Sequence, residues 1–99
     1  MCLLWHTYAR GLLDKSMKIP NEIRHREKLL MLLREIRQKR GIRQVELAEQ
    51  LDVPQSFVSK YESGERQLDV LELRRICQVL GIPFDAFIRQ LEEKLNETK

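Results

Sequence analysis

Cysteine, glycine, proline and histidine are all scarce in this chain of 99 residues, which holds 2 Cys, 4 Gly, 3 Pro and 2 His. Two cysteines, Cys2 near the start and Cys77 inside an apolar stripe with Ile76 and Leu80, make no disulfide framework and point to a reducing compartment. No pair drawn from Cys2, Cys77, His6 and His25 has the short spacing of a zinc site, so no metal is expected and Cys77 reads as a buried structural thiol. The shortage of Gly and Pro leaves no room for long linkers or low-complexity tracts, and a phosphate-cradling glycine loop is missing. Leu3, Leu4 and Trp5 start an apolar run that His6, Tyr8 and Arg10 break well short of a signal-peptide core or a membrane span. A cytoplasmic chain without membrane contact or cofactor follows. Enzymatic chemistry is equally unsupported: Ser56 and Ser59 have no histidine nearby to act as base.

What remains is an ordinary soluble composition, 42% hydrophobic and 33% charged, enough for one domain with a modest core. The net charge of +3 names no partner by itself, but its distribution is uneven. Between Ile23 and Arg43 stand eight cations (Arg24, Arg26, Lys28, Arg34, Arg37, Lys39, Arg40, Arg43) against Glu27 and Glu35, a local balance of +6. From Gln44 to Arg66 the sign reverses, with five anions against two cations. The basic run is either a solvated helix face or a source of attraction for a polyanion.

Apolar spacing predicts five helices and no strand. Leu29, Leu32, Leu33 and Ile36 form an i, i+3, i+4, i+7 stripe on a first helix beginning after Asn21 and reaching Arg40, where Gly41 stops it. Ile42 then packs inward. Leu47, Ala48 and Leu51 lie on one face of a second helix opened by Gln44, Val53 follows the turn, and Val58 with Tyr61 face inward from a third. Ala48 stands where the second and third helices approach closest. Asp69 and Glu72 make a capping box for a fourth helix with Leu73, Ile76, Cys77 and Leu80 on its core face. Pro83 opens a fifth helix, whose Phe84, Phe87, Ile88, Leu91 and Leu95 either pack against the first or, in the last turns, make a dimer seam. Residues 1–20 read as a disordered extension, 21–95 as the domain and 96–99 as a tail; Met17 would itself serve as a start for a compact chain.

Two short helices joined by a tight turn in QVELAEQLDVPQSFVSKYES, Gln44 to Ser63, resemble the helix-turn-helix of the Cro and phage-repressor type (XRE) regulators. With the basic helix before it, the SGER exit after it and two further helices, the resemblance runs from about Lys28 to Leu91. It implies an all-α, five-helix repressor-like domain acting as a homodimer on double-stranded DNA, a transcriptional regulator of the repressor kind whose third helix enters the major groove. The alternative is a protein-interaction module of the same fold, antitoxin-like or bridging, without specific DNA binding. With Val58 and Tyr61 inward, Gln55, Ser56, Ser59 and Lys60 are the side chains available to bases. Phe57 is either tucked against the following loop or turned towards a thymine methyl. The resemblance also implies phosphate contacts by Gln44 and Arg37, with Arg43 and Arg66 as further phosphate candidates, and an Arg37–Glu62 pair that links the first helix to the third. Two positions depart from the family's pattern. Asp52 stands where glycine usually takes a left-handed backbone, and Pro54 where a hydroxyl usually caps the reading helix.

Overall fold

The leucine stripe of the first helix needs a surface to cover it, and the four shorter helices supply that surface. In the computed structural model, which describes residues 19–97, the order is α1 (Ile19–Lys39), α2 (Gln44–Leu51), α3 (Gln55–Ser63), α4 (Val70–Leu80) and α5 (Phe84–Asn96), with no strand among the described residues. α2 crosses α3, α1 lies against α3 and α5, and α4 joins α2 to α5. One core collects Leu32, Leu33 and Ile36 of α1, Leu47, Ala48 and Leu51 of α2, Val58 and Tyr61 of α3, Ile76, Cys77 and Leu80 of α4, Ile82, and Phe87 of α5. All of the inward positions expected on α2 and α3 are therefore buried. Ile42, Val53, Leu73, Phe84 and Leu91 are half-buried against the same core.

The helix boundaries depart from the reading in small ways. α1 starts at Ile19, ahead of Asn21, because Pro20 falls in its first turn, where a missing N–H is no loss. The helical unit thus starts two residues before the expected boundary at 21. It ends at Lys39, and α5 runs one residue past Leu95 to Asn96. Apart from Ile19 and Pro20, the expected disordered extension and the start at Met17 fall outside the described residues.

Turns follow local chemistry. Asp52 takes φ 60° and ψ 46°, and the amides of Asp52 and Val53 donate to the carbonyls of Glu49 and Ala48 to close α2. Pro54 precedes α3 with no side-chain cap, as its lack of a hydroxyl requires. At α4 the box is complete: the Glu72 amide donates to Asp69 Oδ1 at 2.7 Å and the Asp69 amide to Glu72 Oε1 at 3.0 Å.

A further device was not foreseen. A helix C-terminus carries unpaired carbonyls and partial negative charge, so a cation placed there is favourable. Each of the four shorter helices receives one from a neighbour. Arg75 donates to the Leu51 carbonyl ending α2, Arg26 to Gly64 after α3, Arg40 to Gly81 after α4, and Lys28 Nζ to Lys94 in the last turn of α5. Three of these, Arg26 and Lys28 on α1 and Arg40 just past its end, belong to the basic run from Ile23 to Arg43. Much of that run is therefore structural, and the cations it leaves for a polyanion are fewer than the local balance suggests.

Candidate functional site

The N-terminus of α2 and the outer face of α3 form one surface, and a buried ion pair fixes how the two helices meet. Arg37 Nε donates to Glu62 Oε2 at 2.7 Å and Nη2 to Oε1 at 3.1 Å, a two-pronged contact between planar groups. Only 9% of the Arg37 side chain and 4% of that of Glu62 remain exposed. The third arm, Nη1, donates to the Ile42 carbonyl at 2.8 Å and so ties in the segment that leads into α2. Gln44 completes the cluster by donating Nε2 to Glu62 Oε1 at 2.9 Å. One carboxylate thus holds α1, the start of α2 and α3 together. The pair expected from the resemblance is present as geometry. Burial and these three bonds leave little of Arg37 for the phosphate contact that the resemblance implies.

Gln44 stays at the surface, half-buried, and the amide hydrogen not directed at Glu62 is still available. Next to it Arg43 extends into solvent with 75% of its side chain exposed, paired among the described residues with Glu46 at 3.3 Å. The Arg43 amide donates to Glu46 Oε1 at 2.8 Å, and that bond is the main cause holding the Glu46 carboxyl below its usual range. At this helix end, open amides, Gln44 and Arg43 converge.

On α3, burial of Val58 and Tyr61 turns Gln55, Ser56 and Lys60 fully outward. Ser59 is half-buried and donates its Oγ to the Ser56 carbonyl at 3.3 Å, so it is less free than the other three. Phe57 is tucked, which decides between the two expectations. Its ring and that of Tyr61 form a T-shaped pair with centroids 6.0 Å apart, and the Arg66 guanidinium carbon lies over it, 4.3 Å from its centroid. Tyr61 is fully buried with no partner for its hydroxyl among the described residues. Burial foremost, then the nearby Glu62 charge, pushes that hydroxyl's pKa far above the phenol range.

Arg66 is engaged rather than free. Nη1 and Nη2 reach the two oxygens of Glu72 at 3.2 and 3.0 Å, Nη1 also donates to the Gln67 carbonyl, and the Arg66 amide donates to the Lys60 carbonyl at 3.1 Å. Those side-chain hydrogen bonds first, and the Asp69 amide second, hold the Glu72 carboxyl below its ordinary range. Sequence spacing had flagged Glu72 as a cap but could not show that its far side grips Arg66. Gln44 on Glu62 and Arg75 on Leu51 were likewise missed, since each joins residues that are distant along the chain.

Among the described residues no group of His, Cys, Asp and Glu could hold a metal ion, and no helix is long and apolar enough to cross a membrane. Comparison with known proteins places this geometry. A helix-turn-helix family signature matches residues 33–87, from Leu33 in α1 to Phe87 in α5. Among solved structures, an XRE-family like protein from Pseudomonas syringae pv. tomato str. DC3000 is 40% identical, with a TM-score of 0.72 over 84% of this chain and 96% of that one. The restriction-modification controller protein C.Esp1396I, solved as a tetramer in complex with its natural 35 base-pair operator, is 22% identical with a TM-score of 0.66 over 72% of this chain and 93% of that one. A point mutant of the same controller gives 23% identity and a TM-score of 0.69 over 76% of this chain and 95% of that one. At these identities the likeness to the controller is one of fold. Comparison with curated protein sequences gives no match. The signature spans more than half the chain and the Pseudomonas relative is covered almost end to end, so the chain belongs to the XRE family of helix-turn-helix proteins.

Proposed function

We propose that the protein is a sequence-specific DNA-binding transcriptional regulator, a repressor acting as a homodimer, with α3 laid in the major groove. The observation that carries this reading is the outward set Gln55, Ser56 and Lys60, presented by a helix whose opposite face is locked in the core. Gln55 offers a donor and an acceptor to adenine N6 and N7, Lys60 a donor to guanine O6 and N7, and Ser56 either role; Ser59 serves nearer the groove edge. The open amides of α2, the second Gln44 amide hydrogen and Arg43 hold a phosphate and set register. Repression then follows from occupancy of the site.

A second copy is supported by α5, where Ile88 is 41% exposed beside half-buried Leu91 and Leu95. The operator complex of the controller, whose fold this chain shares, is also multimeric. Two copies would present two reading helices to half-sites about 34–36 Å apart, one turn of duplex. The excess of anions over cations between Gln44 and Arg66 favours the second reading, an interaction module that keeps the fold without reading DNA. Selection of binding sites from random duplex DNA separates the two. A recovered palindrome, bound with a steep salt dependence, is the expected result, and sequence-blind binding would leave the interaction module as the better account.

A further inference from the structure

Arg66 follows the reading helix by a short loop, and simple placement would make it one more phosphate contact. Its surroundings argue otherwise. The main chain of Arg66 is tied to the reading helix through the Lys60 carbonyl at 3.1 Å. Its guanidinium carbon lies over Phe57, 4.3 Å from the ring centroid, while both terminal nitrogens grip Glu72 at 3.2 and 3.0 Å. Glu72 is itself fixed, because Oε1 also accepts the Asp69 amide that opens α4. Phe57 packs in a T-shaped arrangement with Tyr61, which is fully buried. A continuous chain of contacts therefore runs from the core through Phe57 and Arg66 to the first turn of α4. It touches the reading helix beside Gln55 and Ser56 at one end and at Lys60 at the other.

We propose that Arg66 is a positioning residue that brackets the reading helix to α4 and thereby sets base preference, and that it is not a phosphate ligand. This rests on the reading of α3 as the base-contacting helix. The Glu72 carboxylate offsets the positive charge of Arg66, so the pair adds little attraction for a polyanion. What Arg66 supplies is shape: a planar group that sits over a ring while meeting both oxygens of a carboxylate, which a lysine ammonium cannot reproduce. Hydrogen bonds to base edges weaken steeply with misalignment, so a small rotation of the first turn of α3 is felt as lost discrimination rather than as lost attraction.

The test uses the full chain as wild type, Arg66→Lys, Arg66→Ala and Glu72→Gln. Glutamine keeps an acceptor for the Asp69 amide, so the Glu72 variant retains the cap of α4 while losing the ion pair. Each protein is titrated, at several salt concentrations, against the duplex selected by the wild type and against duplexes carrying single base-pair changes. Arg66→Lys and Glu72→Gln should each lower the affinity ratio between selected and changed duplexes by about tenfold at positions facing Gln55, Ser56 or Lys60. Arg66→Ala should leave the salt slope at the wild-type value. A phosphate ligand predicts the reverse. Lysine would preserve preference, alanine would reduce the slope by about 0.9, and Glu72→Gln would tighten every duplex alike by freeing the arginine; any of these overturns the proposal.

A second measurement needs no DNA. Amide resonances of Gln55 to Lys60 in Arg66→Lys should shift and exchange faster with solvent, and unchanged resonances would remove the bracket. If the wild type selects no sequence, the DNA reading fails along with the proposed effect on base preference. The bracket itself is then decided by the amide shifts alone.

Discussion

Replacing Glu62 by Met should be among the most damaging single changes outside the apolar core, and the structure sets its size. Glu62 accepts three hydrogen bonds, from Arg37 Nε at 2.7 Å, Arg37 Nη2 at 3.1 Å and Gln44 Nε2 at 2.9 Å. Removing it leaves the Arg37 guanidinium buried with the Ile42 carbonyl as its remaining partner among the described residues. Breaking a buried ion pair from one side costs about 3–5 kcal/mol, because a charge is left without compensation. Arg37→Met should cost about the same, since it strands the carboxylate with the Gln44 amide as its remaining partner among the described residues. The double variant should cost far less than the sum, because no uncompensated charge remains and two methionine side chains fill much of the space. A coupling of about 3 kcal/mol or more is therefore expected from a double-mutant cycle by urea unfolding at neutral pH. The slope m must stay constant across the four proteins for the comparison to hold. Additive single effects, to within about 0.5 kcal/mol, would refute the account of Glu62 as the joint of three helices.

Asp52→Gly should raise stability by about 0.5–1 kcal/mol in the same assay, because φ 60° strains a side chain that glycine lacks; a loss would mean the Asp52 carboxylate contributes more than its backbone costs. Tyr61→Phe should raise the unfolding free energy by about 1 kcal/mol, since the deleted hydroxyl is buried without a partner among the described residues; destabilisation would reveal a partner. Acid should weaken the protein partly through Glu72. Its folded pKa is depressed below the ordinary 4.5, so its contribution is present above that value and is lost as pH falls through the folded pKa. In Glu72→Gln the stability drop measured below pH ~4.3 should be shallower than in wild type, and equal slopes would show that Arg66 does not stabilise the ionised carboxylate.

How far the chain could be read without coordinates depends on the range of the interaction concerned. Helix number, order and core faces were legible, because apolar side chains at three- and four-residue intervals must share a face and the fold needs each face covered. The Asp69–Glu72 box, the stop at Gly41 and the outward set on α3 were legible for the same reason: they depend on neighbours within a turn or two. The start of α1 at Ile19 was missed through a local ambiguity, a proline that fits a first helical turn as readily as a loop.

Contacts between distant residues required tertiary structure. Periodicity showed that Arg26, Lys28 and Arg40 belong to a basic helix, but only the packing of α1 against its neighbours brings them to the carbonyl ends of α3, α5 and α4. Whether Phe57 faced the loop or the groove could not be settled from its position on α3, because that choice depended on Arg66 arriving over the ring and Glu72 holding it there. The sequence determined which side chains could face outward from each helix, through a repeat of 3.6 residues per turn. Tertiary structure alone decided which outward charges meet another charge or a carbonyl, because a hydrogen bond needs its two groups within about 3 Å and the folded chain sets that separation.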